Sequence, residues 1–74
     1  MNIKDLVDID PEKMSGTPVF HGTRVPINHL FDYLTAGDTL DVFLDDFPTV
    51  TREQALGVIE LLRERLLTDY ETAA

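Results

Sequence analysis

With 74 residues, no cysteine and a net charge of −8 from 6 basic and 14 acidic residues, the chain is one small domain without disulfides or thiolate metal sites. Folding at this length buries only about 60% of the surface of the unfolded chain, so self-association or a bound partner is expected to complete the core. No apolar run approaches the roughly 18 residues of a membrane span, residues 1–14 carry four acids and no leader-like pattern, and the missing cysteines fit a reducing cytoplasm.

The charge is unevenly spread. Residues 1–24 are nearly balanced, with Lys4, Lys13 and Arg24 against Asp5, Asp8, Asp10 and Glu12. Residues 25–74 hold Arg52, Arg63 and Arg65 against ten acids. That half repels phosphate backbones at long range and attracts basic surfaces. Solubility alone also accounts for such a charge.

Residues 1–15 read as a loose lead-in, in which Ile3, Leu6, Val7 and Ile9 pack as a short strand or one helical turn. A β-hairpin is predicted over about 17–26. His21-Gly22 forms a two-residue turn between Val19-Phe20 and Thr23–Val25, with glycine taking positive φ. Pro18 and Pro26 mark its ends, since proline cannot donate to a ladder.

Nearly everything after Pro26 reads as helix. The first helix spans about 27–36, with Leu30, Phe31 and Leu34 as its apolar face and Gly37 as its stop. The second spans about 40–47. Thr39 or Asp38 caps it, its apolar set runs from Leu40 to Phe47, and Pro48 ends it. Thr51-Arg52-Glu53-Gln54 is a capping box that opens a third helix over about 52–69. Ala55, Val58, Ile59, Leu62 and Leu66 form one stripe on it. Leu56, Leu67 and Tyr70 lie on one flank and Leu61 on the other. An arc this wide is either a buried central helix or an interface with a dimer mate or another partner. The last residues, 71–74, are expected to fray.

The run Gly16-x-Pro18-x-Phe20-x-Gly22-Thr23-Arg24-Val25-Pro26 is followed by a helix ending in Ala36-Gly37 and a short acidic helix ending in Asp46-Phe47-Pro48. A Thr-x-Glu-Gln opening of a long helix comes next. This pattern resembles the family called domain of unknown function 433 over about residues 8–68, although Thr17 stands where that family commonly has lysine. The resemblance implies a mainly α fold: a short N-terminal β-hairpin followed by a homeodomain-like tri-helical bundle of helix-turn-helix type. Several members of that family are assigned as VapB-like antitoxins encoded beside a nuclease of PIN-like class. The resemblance therefore implies an antitoxin that neutralises a cognate toxin nuclease, with repression of its own operon as a further role.

Arg24 has a planar fork that suits a carboxylate or phosphate; within the chain, its expected partner is one of the many acids. Together with Asp41, Asp45 and Asp46 on the second helix and Leu67 and Tyr70 on the third, it makes up the expected partner-binding set. Occlusion of a basic nuclease groove is the simplest mechanism, because it needs only surface complementarity. The alternative is a stand-alone helix-turn-helix DNA-binding regulator. In that reading the start of the third helix enters the major groove, and Thr51, Arg52 and Gln54 are its DNA-binding residues, with Thr49 beside them. The acids nearby oppose it, and Gln54 already has a place in the capping box. Asp41, Asp45 and Asp46 lack calcium-loop spacing, and His21 and His29 lack zinc spacing. No nucleophile context or phosphate-cradling loop is present. The expectation is a cytoplasmic, dimeric, non-enzymatic protein without cofactor or metal.

Overall fold

The computed structural model describes residues 2–12 and 16–73. The lead-in forms both of the elements left open by its sequence. Helix α1 is a single turn over Ile3–Leu6. Asn2 Oδ1 caps it by accepting from the Lys4 amide at 3.0 Å. Strand β1, Val7–Asp8, follows directly and pairs antiparallel with β2, Val19–Phe20. Val7 lies opposite Phe20 and Asp8 opposite Val19. The rest of the lead-in, residues 1 and 13–15, lies outside the described residues.

The expected hairpin over 17–26 forms only as a turn and a single bridge. The two-residue ladder of Val19–Phe20 is made with Val7–Asp8 of the lead-in, while Thr23–Val25 forms no strand. On the other side of β2 there is one bridge, Val19 to Pro26, with the Phe20 amide donating to Val25 O and the Ile27 amide to Pro18 O, each at 3.0 Å. Proline at 18 and 26 removes the amides that a longer ladder would need. The turn itself is as predicted in kind. Gly22 has φ 73°, and the Thr23 amide donates to Phe20 O at 2.9 Å.

Three helices follow, so the protein is mainly helical behind a short N-terminal strand pair. Helix α2 is Ile27–Thr35, capped by Pro26. Gly37 stops it at φ 92°, where the Asp38 amide donates back to Tyr33 O at 2.9 Å. Helix α3 is Leu40–Asp46, and Thr39 Oγ1 accepts from the Val42 amide at 3.3 Å. Helix α4 is Arg52–Ala73, four residues longer than predicted. Its last turns are rich in good helix formers and carry an Arg65–Asp69 pair at i,i+4.

The core draws one or two residues from nearly every element: Leu6, Phe20, Leu30, Phe43, Val50, Ala55 and Val58 are buried. Phe43 is its centre, with Phe20 at 5.9 Å, Tyr33 at 5.5 Å and Phe47 at 5.1 Å between ring centroids. Burying such a side chain stabilises by about 1.5–3 kcal/mol. Helix α1 lies on α4 through Leu6, which fills the space a side chain at Gly57 would take.

The expected stripe on α4 is only half correct. Ala55 and Val58 are buried, and Ile59 and Leu61 half-buried. Leu62 and Leu66 are 48% and 70% exposed. The remaining elements are too small to cover a 22-residue helix, which is about 33 Å long. The protein is accordingly 39 Å in its longest dimension, with a radius of gyration of 13.1 Å against about 11 Å for a compact chain of this length.

Candidate interaction surfaces

At the start of α4 the capping box is formed reciprocally. Thr51 Oγ1 accepts from the Gln54 amide at 3.1 Å, and Gln54 Oε1 accepts from the Thr51 amide at 3.0 Å. The amide nitrogen of the Gln54 side chain donates to His21 O at 2.9 Å, which fastens α4 to the turn after β2. Arg52 forms an ion pair with Asp41 of α3. The three residues expected to read DNA are therefore adjacent in space, and Arg52 and Gln54 each already hold a partner within the chain.

The acids of α3 do not act as one cluster. Asp41 holds Arg52. Asp46 accepts from the Tyr33 hydroxyl at 2.5 Å, which pushes the Tyr33 pKa up because the phenol is held in its protonated form. Asp45 is exposed and makes no hydrogen bond or ion pair among the described residues. No group of three metal-ligating side chains occurs among the described residues.

The turn between β2 and α2 is held by a carboxylate that sequence reading did not single out. Asp8 accepts from His21 Nδ1 at 2.8 Å with one oxygen and from the Gly22 amide at 2.9 Å with the other. The hydrogen bond from His21, followed by that from Gly22, lowers the Asp8 pKa below its ordinary value. The same bond raises that of His21. No local pattern predicts the contact, because 13 residues separate the partners.

Arg24 projects from this turn, exposed. The expected in-chain carboxylate is not there: Arg24 makes no ion pair or hydrogen bond among the described residues. The nearby acids are engaged, Asp8 as above and Asp10 by the Glu12 amide at 2.9 Å. Arg24 instead lines an open groove of about 1270 Å³ between the N-terminal segment, the turn and the end of α3, together with Lys4, Val25, His29 and Phe47. The His29 ring lies 5.5 Å from that of Phe47.

Four of the exposed large apolar side chains among the described residues gather at the far end of α4. Leu62, Leu66 and Tyr70 recur every four residues along one side, 48%, 70% and 72% exposed, and Leu67 lies beside them at 51%. Leu67 and Tyr70 were expected here. Leu62 and Leu66 belong to the arc expected to be either buried or an interface, and both are exposed. Glu60 and Asp69 are paired with Arg63 and Arg65 on the same helix, while Glu64 and Glu71 carry no ion pair among the described residues. No helix among the described residues is long and apolar enough to cross a membrane.

Comparison with known proteins gives a family but no activity. Residues 7–61 match the family model described as protein of unknown function, DUF433. Over 51 residues the chain is 31% identical to "Uncharacterized protein y4eO" of Sinorhizobium fredii, a match covering 69% of this chain and 23% of that protein. The chain thus aligns with about a quarter of that relative's length. No solved structure matches.

Proposed function

We propose, for a chain that belongs to the DUF433 family, a binding function rather than a catalytic one: it is an antitoxin that docks on a cognate nuclease toxin of PIN-like class and silences it. The observation that carries the reading is the bare end of α4. From residue 62 onward no described residue of the helix is buried, yet four large apolar side chains lie there. A dozen residues of helix are marginal in water without packing, so this end gains most of its stability from a surface laid against it. The net charge of −8 favours a basic surface, such as the nucleic-acid groove of a nuclease. Blocking that groove needs no reactive group on this chain.

Direct operator reading by the start of α4 is disfavoured, since Arg52 and Gln54 are engaged by Asp41 and His21. The test is co-expression with a PIN-like nuclease encoded beside this gene. The two should co-purify and the nuclease should lose its toxicity, and Leu66→Asp with Tyr70→Asp should undo both while leaving the melting temperature unchanged. Failure of the wild-type protein to bind or to relieve toxicity would overturn the reading.

A further inference from the structure

A second surface, independent of the α4 ridge, carries the cations that the rest of the described chain leaves unpaired. Of the cations described, Arg52, Arg63 and Arg65 each lie against an acid of this chain. Lys4 and Arg24 have no such partner among the described residues, and both line the groove beside the turn. The carboxylates of that groove are used: Asp8 by His21 and the Gly22 amide, Asp10 by the Glu12 amide. Helix α2 begins at the same wall with Pro26 as its cap. It has no acid in its first turn, and its first amide, that of Ile27, donates to Pro18 O at 3.0 Å. Asp8 and Asp10 balance the formal charge of the groove, so Lys4 and Arg24 are its two charges that make no hydrogen bond or ion pair among the described residues.

The walls between these charges are apolar. Val7, Val19 and Val25 line one part and Phe47 another. Asp8 and Val19 are cross-strand neighbours, so they share a face of the sheet, as do Val19 and Pro26. The volume of about 1270 Å³ is ample for an organic molecule.

We propose that this groove binds a small organic anion, with its apolar body against Val25 and Phe47 and its carboxylate or phosphate held by Arg24 and Lys4. Arg24 supplies the bidentate fork and Lys4 a mobile point charge. The site goes beyond the docking reading above and does not depend on it, since none of its residues lies on α4.

The test is an amide-shift titration by NMR of the full chain with three probes on one aromatic body: 1-naphthaleneacetate, 1-naphthyl phosphate and the neutral 2-(1-naphthyl)ethanol. Saturable shifts are expected at Gly22, Thr23, Arg24, Val25 and His29 with either anion, and the tighter of the two identifies the head group. Arg24→Ala and Lys4→Ala should each weaken the tighter anion about tenfold. Both side chains are exposed, so the variants keep the dispersed spectrum of the folded protein. The neutral alcohol should bind at least as weakly as the anion does to the variants. The proposal is overturned if the shifts map to Leu62–Tyr70, if the alcohol binds as well as the anions, if Arg24→Ala leaves the affinity unchanged, or if neither anion gives saturable shifts at millimolar concentration.

Discussion

Gly57 should be a poor place for alanine although it stands inside a helix. A Cβ there would sit 2.9 and 3.0 Å from the two Cδ atoms of Leu6 and 3.5 Å from its Cγ. Leu6 is 1% exposed and cannot swing into solvent. Helix propensity alone favours Ala over Gly by about 1 kcal/mol. Overpacking a filled core costs about 1–3 kcal/mol. The crowding wins, so Gly57→Ala should destabilise by about 1 kcal/mol, which lowers the melting temperature of a domain this size by about 4–8 °C. In a Leu6→Ala background the obstacle is gone, and the same substitution should stabilise by about 1 kcal/mol. The cycle therefore predicts a coupling of about 2 kcal/mol. Leu6→Ala by itself costs about 2–5 kcal/mol out of a total of about 4–11 kcal/mol, so all four proteins are best compared by urea unfolding in the same stabilising osmolyte. A higher midpoint for Gly57→Ala in the wild-type background, or a coupling near zero, would refute the contact.

Thr51→Ala should cost about 1 kcal/mol by urea unfolding, because it removes the acceptor for the Gln54 amide; a change below a few tenths would mean that the cap is not formed. The Asp8–His21 pair should make stability depend on pH at both ends. His21 is raised above its ordinary 6.5, so its contribution is complete below 6.5 and lost as pH rises through the higher folded value. Asp8 is lowered below 3.8, so its contribution is complete above 3.8 and lost as pH falls through the lower folded value. The melting temperature should carry a plateau between those limits, and His21→Gln should flatten its upper edge; an unchanged profile in that variant would remove the pair from the account. Leu66→Gln and Tyr70→Gln should each change stability by no more than about 0.5 kcal/mol, since both side chains are 70% exposed or more; a large loss by thermal unfolding would mean that α4 is packed along its whole length.

What the sequence made legible is what local spacing controls. The two threonine caps, the stop at Gly37 and the capping box each rest on residues two to four apart, and each forms with the expected atoms. The lead-in's sequence allowed a short strand but not its pairing, because two residues show no alternation and their partner lies 11 positions further on. The anchoring of His21 and Gly22 by Asp8 is hidden for the same reason. Helical periodicity put Leu62 and Leu66 on one stripe with Val58, which is correct for the helix. It carries no information on where the neighbouring elements stop covering that stripe. Arg24 misled in the opposite way. A chain rich in acids suggests an internal partner, but carboxylates nearby can be claimed first by backbone amides and a histidine, as Asp8 and Asp10 are.

The point at which the family resemblance stops is itself informative. The matched region ends at residue 61, and Leu61 is the last residue of α4 that is even half-buried. Within residues 7–61 lie both strands, the aromatic core, the capping box and nearly all of the groove. Outside it lie α1 and the exposed ridge of Leu62, Leu66, Leu67 and Tyr70. On its C-terminal side the match ends where packing ends, whereas on its N-terminal side buried Leu6 lies just outside it. Residues free of core packing can change without loss of stability, so they are suited to fitting one particular partner. The groove is different, because its walls are the strand pair and the start of α2, and its shape is tied to the fold. A surface that varies with the partner and a site built into the scaffold are what a protein needs if it is to hold a specific mate and separately take up a small ligand.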